Sequence, residues 1–277
     1  MTHAAAGSSR EPIAAKVPEV TLLFWVIKLL TTAGGEAFSD YLALHGYTLA
    51  GVVEVAIFVV ALWLQLRTRR YVAAPYWFLA LAIAIFGTGA ADFLHLKVGI
   101  PYGGTTALWA VVLAAIFWLW YRSEGTLSIH SIVTRHRELF YWAVVFATFA
   151  LGTALGDFTA QVLHLGYLGS AVLFAVVIMI PAVAWSRFGL NPVLCFWFAY
   201  VVTRPLGASF ADWFSKPRYL SGLDYGAGPV SVVLLLMIAV LVVYTAVVRY
   251  DIQQPTTAGR LPDSSQPART RGPATRR

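Results

Sequence analysis

Four carboxylates recur in one frame. Asp40, Asp92, Asp157 and Asp212 each stand fifteen residues after a tryptophan (Trp25, Trp77, Trp142, Trp197) and five after a glycine (Gly35, Gly87, Gly152, Gly207). Each is followed by an aromatic residue, and four of the seven aspartates of the chain fall in this pattern. Four residues before each Asp, on the same face of a helix, stand Glu36, Thr88, Thr153 and Ala208. Glu54 adds a further acid, and His45, His95 and His164 follow their aspartates by five, three and seven residues. Carboxylates gathered in an apolar surrounding repel one another, so they take up protons or hold a cation. Asp or Glu with His suits a transition metal such as Mn or Zn, while carboxylate with Thr suits Ca or Mg. Asp92 and His95, at i and i+3, are expected to share a helical face. The expected metal set is therefore Asp40, Asp92 and Asp157 with His45, His95 and His164. The expected ion pathway is the four aspartates with Glu36, Thr88, Thr153 and Glu54. Lys28 and Arg204, inside the same apolar stretches, are the expected internal counter-charges, with Arg204 pairing with one of the acids.

The elements that must position these groups are membrane helices. The 277 residues are 59% hydrophobic and 12% charged, with mean hydropathy +0.71, against about 25% charged in soluble domains. Apolar runs of some 20 residues span a bilayer. Eight are expected, near residues 20–41, 48–66, 75–95, 104–121, 139–161, 166–185, 192–214 and 227–249. The runs are continuously apolar, which favours helices over a barrel of alternating strands. The repeats cover about 19–70, 71–122, 138–187 and 192–249, each a helix pair whose return carries Tyr47, Tyr102, Tyr167 or Tyr225. Two helices per copy keep all copies in one orientation. Four parallel copies predict a pseudo-fourfold ring, with a two-by-two bundle as the alternative. Each Trp is expected in the interfacial aromatic belt, and Pro205 is expected to kink its helix. The glycines are expected to let neighbouring helices approach closely.

Fifteen of the twenty Lys and Arg fall in the N-terminal segment, the inter-repeat links and the C-terminal tail, against three in the hairpins, Lys97, Lys216 and Arg218. The positive-inside rule then predicts both termini in the cytoplasm and the aspartate ends outside. Residues 1–18 read as a flexible lead without a cleavable signal peptide, and 250–277 as a disordered basic tail rather than a nucleic-acid arm. The single Cys195 allows no intramolecular disulfide.

The opening Val17-Pro18-Glu19-Val20-Thr21, with Phe24-Trp25, Lys28, Thr31-Thr32, Gly35-Glu36 and Asp40, resembles a family of uncharacterised bacterial membrane-anchored integral membrane proteins. The resemblance covers residues 17–249. It implies a multi-pass protein of the bacterial cytoplasmic membrane built from repeated helix pairs, and no activity.

The expected fold is thus an all-α polytopic membrane protein of four tandem parallel two-helix repeats. The expected function is transport or conduction of an inorganic cation, a divalent metal first, through carboxylates near the outer face. Two readings of other classes stand beside it. One is a structural or accessory protein whose acids hold helices together. The other is a metal-dependent membrane enzyme, which is not favoured because no nucleophile motif, phosphate loop or His-x-x-x-His is present.

Overall fold

In the computed structural model, residues 15–249 and 251 are described. The helices are α1 (Leu22–Ala43), α2 (Tyr47–Arg67), α3 (Ala73–Asp92), α4 (Tyr102–Glu124), α5 (Arg135–Asp157), α6 (Gly166–Val177), α7 (Met179–Phe188), α8 (Pro192–Ser215) and α9 (Ala227–Val248). Helices α6 and α7 form one span, so eight helical segments among the described residues are long and apolar enough to cross a membrane. The break falls at Ile178. Pro181 has no N–H for the Val177 carbonyl, and its ring crowds that turn. Pro205, by contrast, lies inside an unbroken α8.

Helix α1 packs on α3, α3 on α5, α5 on α8, and α8 back on α1. The first helices of the four pairs therefore close into a ring. Each second helix lies outside it, against the next pair's first helix: α2 on α3, α4 on α5, α6 on α8 and α9 on α1. The outer helices expose aliphatic faces, such as Val52, Val59 and Val60 on α2 and Val232, Leu236 and Val240 on α9. That is the surface an apolar solvent requires, since polar groups there would go unsatisfied.

Two series of contacts run around the ring with the period of the repeat. A Cβ on Gly35 would strike Ala84, one on Gly87 would strike Phe149, one on Gly152 would strike Arg204, and one on Gly207 would strike Thr32. The struck residues all stand eight before their own Asp. At the other end, Phe24 meets Trp77 (ring centroids 5.6 Å apart), Tyr76 meets Trp142 (5.2 Å), Tyr141 meets Trp197 (6.1 Å) and Phe196 meets Trp25 (5.7 Å). Each copy thus hands the same two contacts to the next, and the fourth hands them to the first.

Three expectations need correction. Trp77, Trp142 and Trp197 are buried rather than set in an interfacial belt, because each serves as the partner of the preceding aromatic in this ring. The spans expected at 75–95 and 139–161 do run past their aspartates, but as π-turns rather than regular α-helix. Asp92 and Asp157 are each followed by a π-turn, Phe93–Lys97 and Phe158–Val162, closed by Val98 N–H to the Phe93 carbonyl and Leu163 N–H to that of Phe158. Finally, the last residues of the expected flexible lead are packed. Lys16 Nζ donates to Glu138 Oε2 at 2.6 Å, Val17 is buried, and the Lys16 N–H bonds the Ile132 carbonyl. Asp251 of the expected tail accepts from the Tyr71 hydroxyl at 2.5 Å. The rest of both expected segments, 1–14, 250 and 252–277, lies outside the described residues.

Candidate functional site

The ring brings one polar layer to its centre. Arg204 is wholly buried, and the missing side chain of Gly152 makes room for its Cβ and Cγ. Its guanidinium reaches across the ring. Nη2 shares its two hydrogens among Glu36 Oε2 at 2.5 Å, Thr153 Oγ1 at 2.6 Å and Thr88 Oγ1; Nη1 donates to the Thr32 carbonyl at 2.9 Å, and Nε to that of Phe149 at 3.3 Å. The Thr88 and Thr153 hydroxyls also lie 2.9 and 3.2 Å from Glu36 Oε2. Three of the four positions standing four residues before an aspartate thus converge on one guanidinium. All three guanidinium nitrogens have acceptors and Glu36 Oε2 has several donors, the kind of pairing under which buried charges are tolerated.

Towards the tryptophan end the axis is filled. Lys28 is buried, with Nζ 4.0 Å from the Phe149 ring centroid and 4.2 Å from that of Tyr200, and with no hydrogen-bond partner among the described residues. Its amine lies against aromatic faces and is not the partner of an acid. Beyond it the Tyr76 and Tyr141 hydroxyls meet at 2.5 Å. Below Glu36 the ring interior is thus occupied by the buried side chains of Lys28, Tyr76, Tyr141 and Tyr200.

Towards the aspartate end lies a cavity of about 430 Å³. Glu36 lines its floor side, Asp40, Asp92 and Asp157 line it from three of the ring helices, and Tyr47, Tyr102 and Tyr167 from the helices that follow the hairpins. The fourth pair departs from the pattern. Tyr225 is turned to Phe214 (ring centroids 6.2 Å apart), and Lys216 enters the cavity in its place. Its ammonium lies 2.7 Å from Asp40 Oδ2 and 3.7 Å from Asp212 Oδ1. The loop fixes it there: Lys216 N–H bonds the Asp212 carbonyl, Asp224 N–H bonds the Lys216 carbonyl, and Gly222 backs directly on that carbonyl, where a Cβ would not fit. Burial works against the Lys216 charge, but the Asp40 carboxylate, and after it Asp212, outweighs burial and holds its pKa well above the ordinary lysine range.

Lys216 is the residue that sequence reading missed, since it was counted with the charges of the outer loops. A signal was present. It stands four residues after Asp212, the spacing of a helical ion pair.

The remaining expected site residues lie elsewhere. Glu54 accepts from Ser39 Oγ at 2.6 Å and fills the space beside Gly89, away from the cavity lining. His45 Nδ1 is 3.0 Å from the Tyr41 carbonyl on an exposed turn. His95 does not join Asp92: the π-turn swings it away, its Nδ1 meets the Ile100 carbonyl at 2.9 Å and its ring stacks on Tyr102 at 3.6 Å. His164 is exposed, at a positive φ of 57°. None of the three histidines lines the cavity. Among the described residues the one set of three or more metal-type ligands is all carboxylate, Glu36, Asp40 and Asp212, with oxygens within 4.8 Å of one another.

The family described as "Repeat of Unknown Function (DUF347)" matches the chain four times, over residues 23–71, 75–126, 140–190 and 195–250. No curated protein matches the chain, and no solved structure does.

Proposed function

We propose that this chain, which belongs to the DUF347 repeat family, is a cation transporter of the bacterial cytoplasmic membrane. The observation that carries this reading is the single cavity shared by Asp40, Asp92, Asp157 and Glu36. With Asp212 beside Lys216, five carboxyl groups meet two paired cations, Arg204 and Lys216. Asp92 and Asp157 have no cationic side chain within ion-pair distance among the described residues. Ionised carboxyl groups gathered in one cavity repel one another, so they take up protons or hold a cation, and the transport reading rests on the second.

The positive-inside bias of the loops supports an orientation with both termini in the cytoplasm and the cavity at the outer side. The Arg204–Glu36 layer then divides this outer cavity from the inner half of the ring. A filled axis favours a coupled transporter over an open channel, because passage requires that layer to part. Two cation classes suit the carboxylates: a divalent metal held by oxygens of Glu36, Asp40 and Asp212, and an ammonium ion.

Purified protein reconstituted in liposomes tests the reading. Accumulation of Mn²⁺, Ca²⁺ or an alkylammonium is expected with the native chain, and at least tenfold less with Asp92→Asn and Asp157→Asn. Equal accumulation by these folded variants and the native chain overturns it and leaves a structural role for the acids.

A further inference from the structure

The cavity differs from a metal cage in size and in lining. Oxygen ligands surround Ca²⁺ at about 2.3–2.6 Å and Mg²⁺ at about 2.0–2.1 Å, in compact shells. A volume of about 430 Å³ is instead in the range that holds small organic molecules, roughly 300–1,000 Å³. Much of the wall is apolar: Leu44, Leu96, Leu220 and the rings of Tyr47, Tyr102 and Tyr167 face the same space as the acids.

The acids divide into two groups. Glu36 is engaged by Arg204, and Asp40 with Asp212 by Lys216. The tightest convergence of carboxylates is thus already filled, and what fills it is the ammonium of an alkyl chain. Asp92 and Asp157 line the cavity with no such partner. Ser215 supplies an independent observation. It is 5% exposed, lines the cavity, and its Oγ has no hydrogen-bond partner among the described residues. A buried hydroxyl left without a partner costs free energy, so a ligand donor or acceptor is expected against it.

We propose that the ligand of this cavity is a small organic ammonium ion, its head against Asp92 and Asp157 and its hydrocarbon part on Leu96 and the tyrosine rings. Lys216 holds the other half of the acid set with the same chemistry. Ser215 takes the remaining polar group or N–H of the guest. This inference rests on the cation reading above and narrows its substrate class.

The test is titration of the purified full chain in detergent with ammonium, ethylammonium and n-butylammonium chlorides, and with MnCl₂ and CaCl₂, at constant ionic strength. Butylammonium is expected to bind at least tenfold more tightly than ammonium, because the alkyl part adds apolar contact. Asp92→Asn and Asp157→Asn are each expected to weaken it at least tenfold, and Ser215→Ala several-fold. Where the Asn variants do not fold, the chain-length series on the native protein decides: equal affinity for ammonium and butylammonium overturns the inference. Binding of Mn²⁺ or Ca²⁺ without butylammonium overturns it too, and leaves the cation reading standing. Binding of none of the five overturns both.

Discussion

Arg204 and Glu36 come from the fourth and the first repeat, yet their side chains meet at 2.5 Å in the middle of the ring, with both groups buried. This pair closes the ring as well as its axis. The two residues stand on helices that are neighbours only because the chain has come full circle, and the guanidinium reaches the threonines of the second and third repeats on the way.

Removing one partner leaves a buried, uncompensated charge. Arg204→Met and Glu36→Leu are each expected to destabilise the protein by about 3–5 kcal/mol, and the double variant by less than either, since replacing a whole buried pair by apolar groups is often neutral. Thermal unfolding in detergent of the three variants measures this. Additive losses would mean that the two side chains do not act as a pair.

The repeat glycines give a sharper test of the ring. A Cβ on Gly35 would come within 3.0 Å of the Ala84 carbonyl carbon and collide with its side chain. Gly35→Ala is therefore expected to cost about 1–3 kcal/mol through overpacking. Gly51, inside α2 with open space around it, is the control. Gly51→Ala is expected to stabilise by about 0.5–1 kcal/mol, because the unfolded chain loses freedom and nothing is struck. The pair of unfolding temperatures should move in opposite directions.

Much of this architecture is legible along the chain. The glycine, tryptophan and aspartate frame names the four ring helices, and the position four residues before each Asp picks out Glu36, Thr88 and Thr153, which do share one partner. What a single chain does not display is the register between helices. Arg204 reads only as a cation in an apolar stretch, and its partner becomes definite once α8 lies against both α1 and α5. The tryptophans mislead for a similar reason. Their place near one end suits an interface, but each is used to seat the preceding copy's aromatic. The histidines mislead because helical spacing assumes 3.6 residues per turn, and the π-turn after Asp92 breaks that count. Lys216 lay in a segment read as a loop, where charge is ordinarily solvated.

Lys216 competes with any mobile cation for Asp40 and Asp212. Lys216→Met removes one positive charge from the cavity wall while keeping an apolar side chain. Its affinity for the bound cation, Mn²⁺ or butylammonium, is expected to rise about tenfold or more, or about 1.4 kcal/mol. Titration of the variant beside the native chain reads it. A weaker affinity in the variant would show that Lys216 helps to hold the guest instead of opposing it.

At the opposite end, two contacts tie the flanking segments to the ring. Lys16 pairs with Glu138, which also accepts from Gln65 Nε2 at 3.0 Å, and the Tyr71 hydroxyl donates to Asp251. Burial raises the Tyr71 pKa, and the hydrogen bond to Asp251 and its charge raise it further. A raised folded pKa means stability that is present below the unfolded value, about 10 for tyrosine, and is lost as pH rises beyond it. The unfolded chain gives up its proton near pH 10 while the folded one keeps it against Asp251. Tyr71→Phe removes the hydroxyl and leaves Asp251, 4% exposed, without this donor. The cost at neutral pH is expected to be about 1.5–3 kcal/mol, the usual worth of a hydrogen bond to a charged group. Unfolding temperatures of the native chain and Tyr71→Phe, followed from pH 8 to pH 11, should stay apart by a constant gap up to about pH 10 and draw together above it. A gap that widens with pH would mean that Tyr71 ionises more readily in the folded protein, and that Asp251 is not its partner.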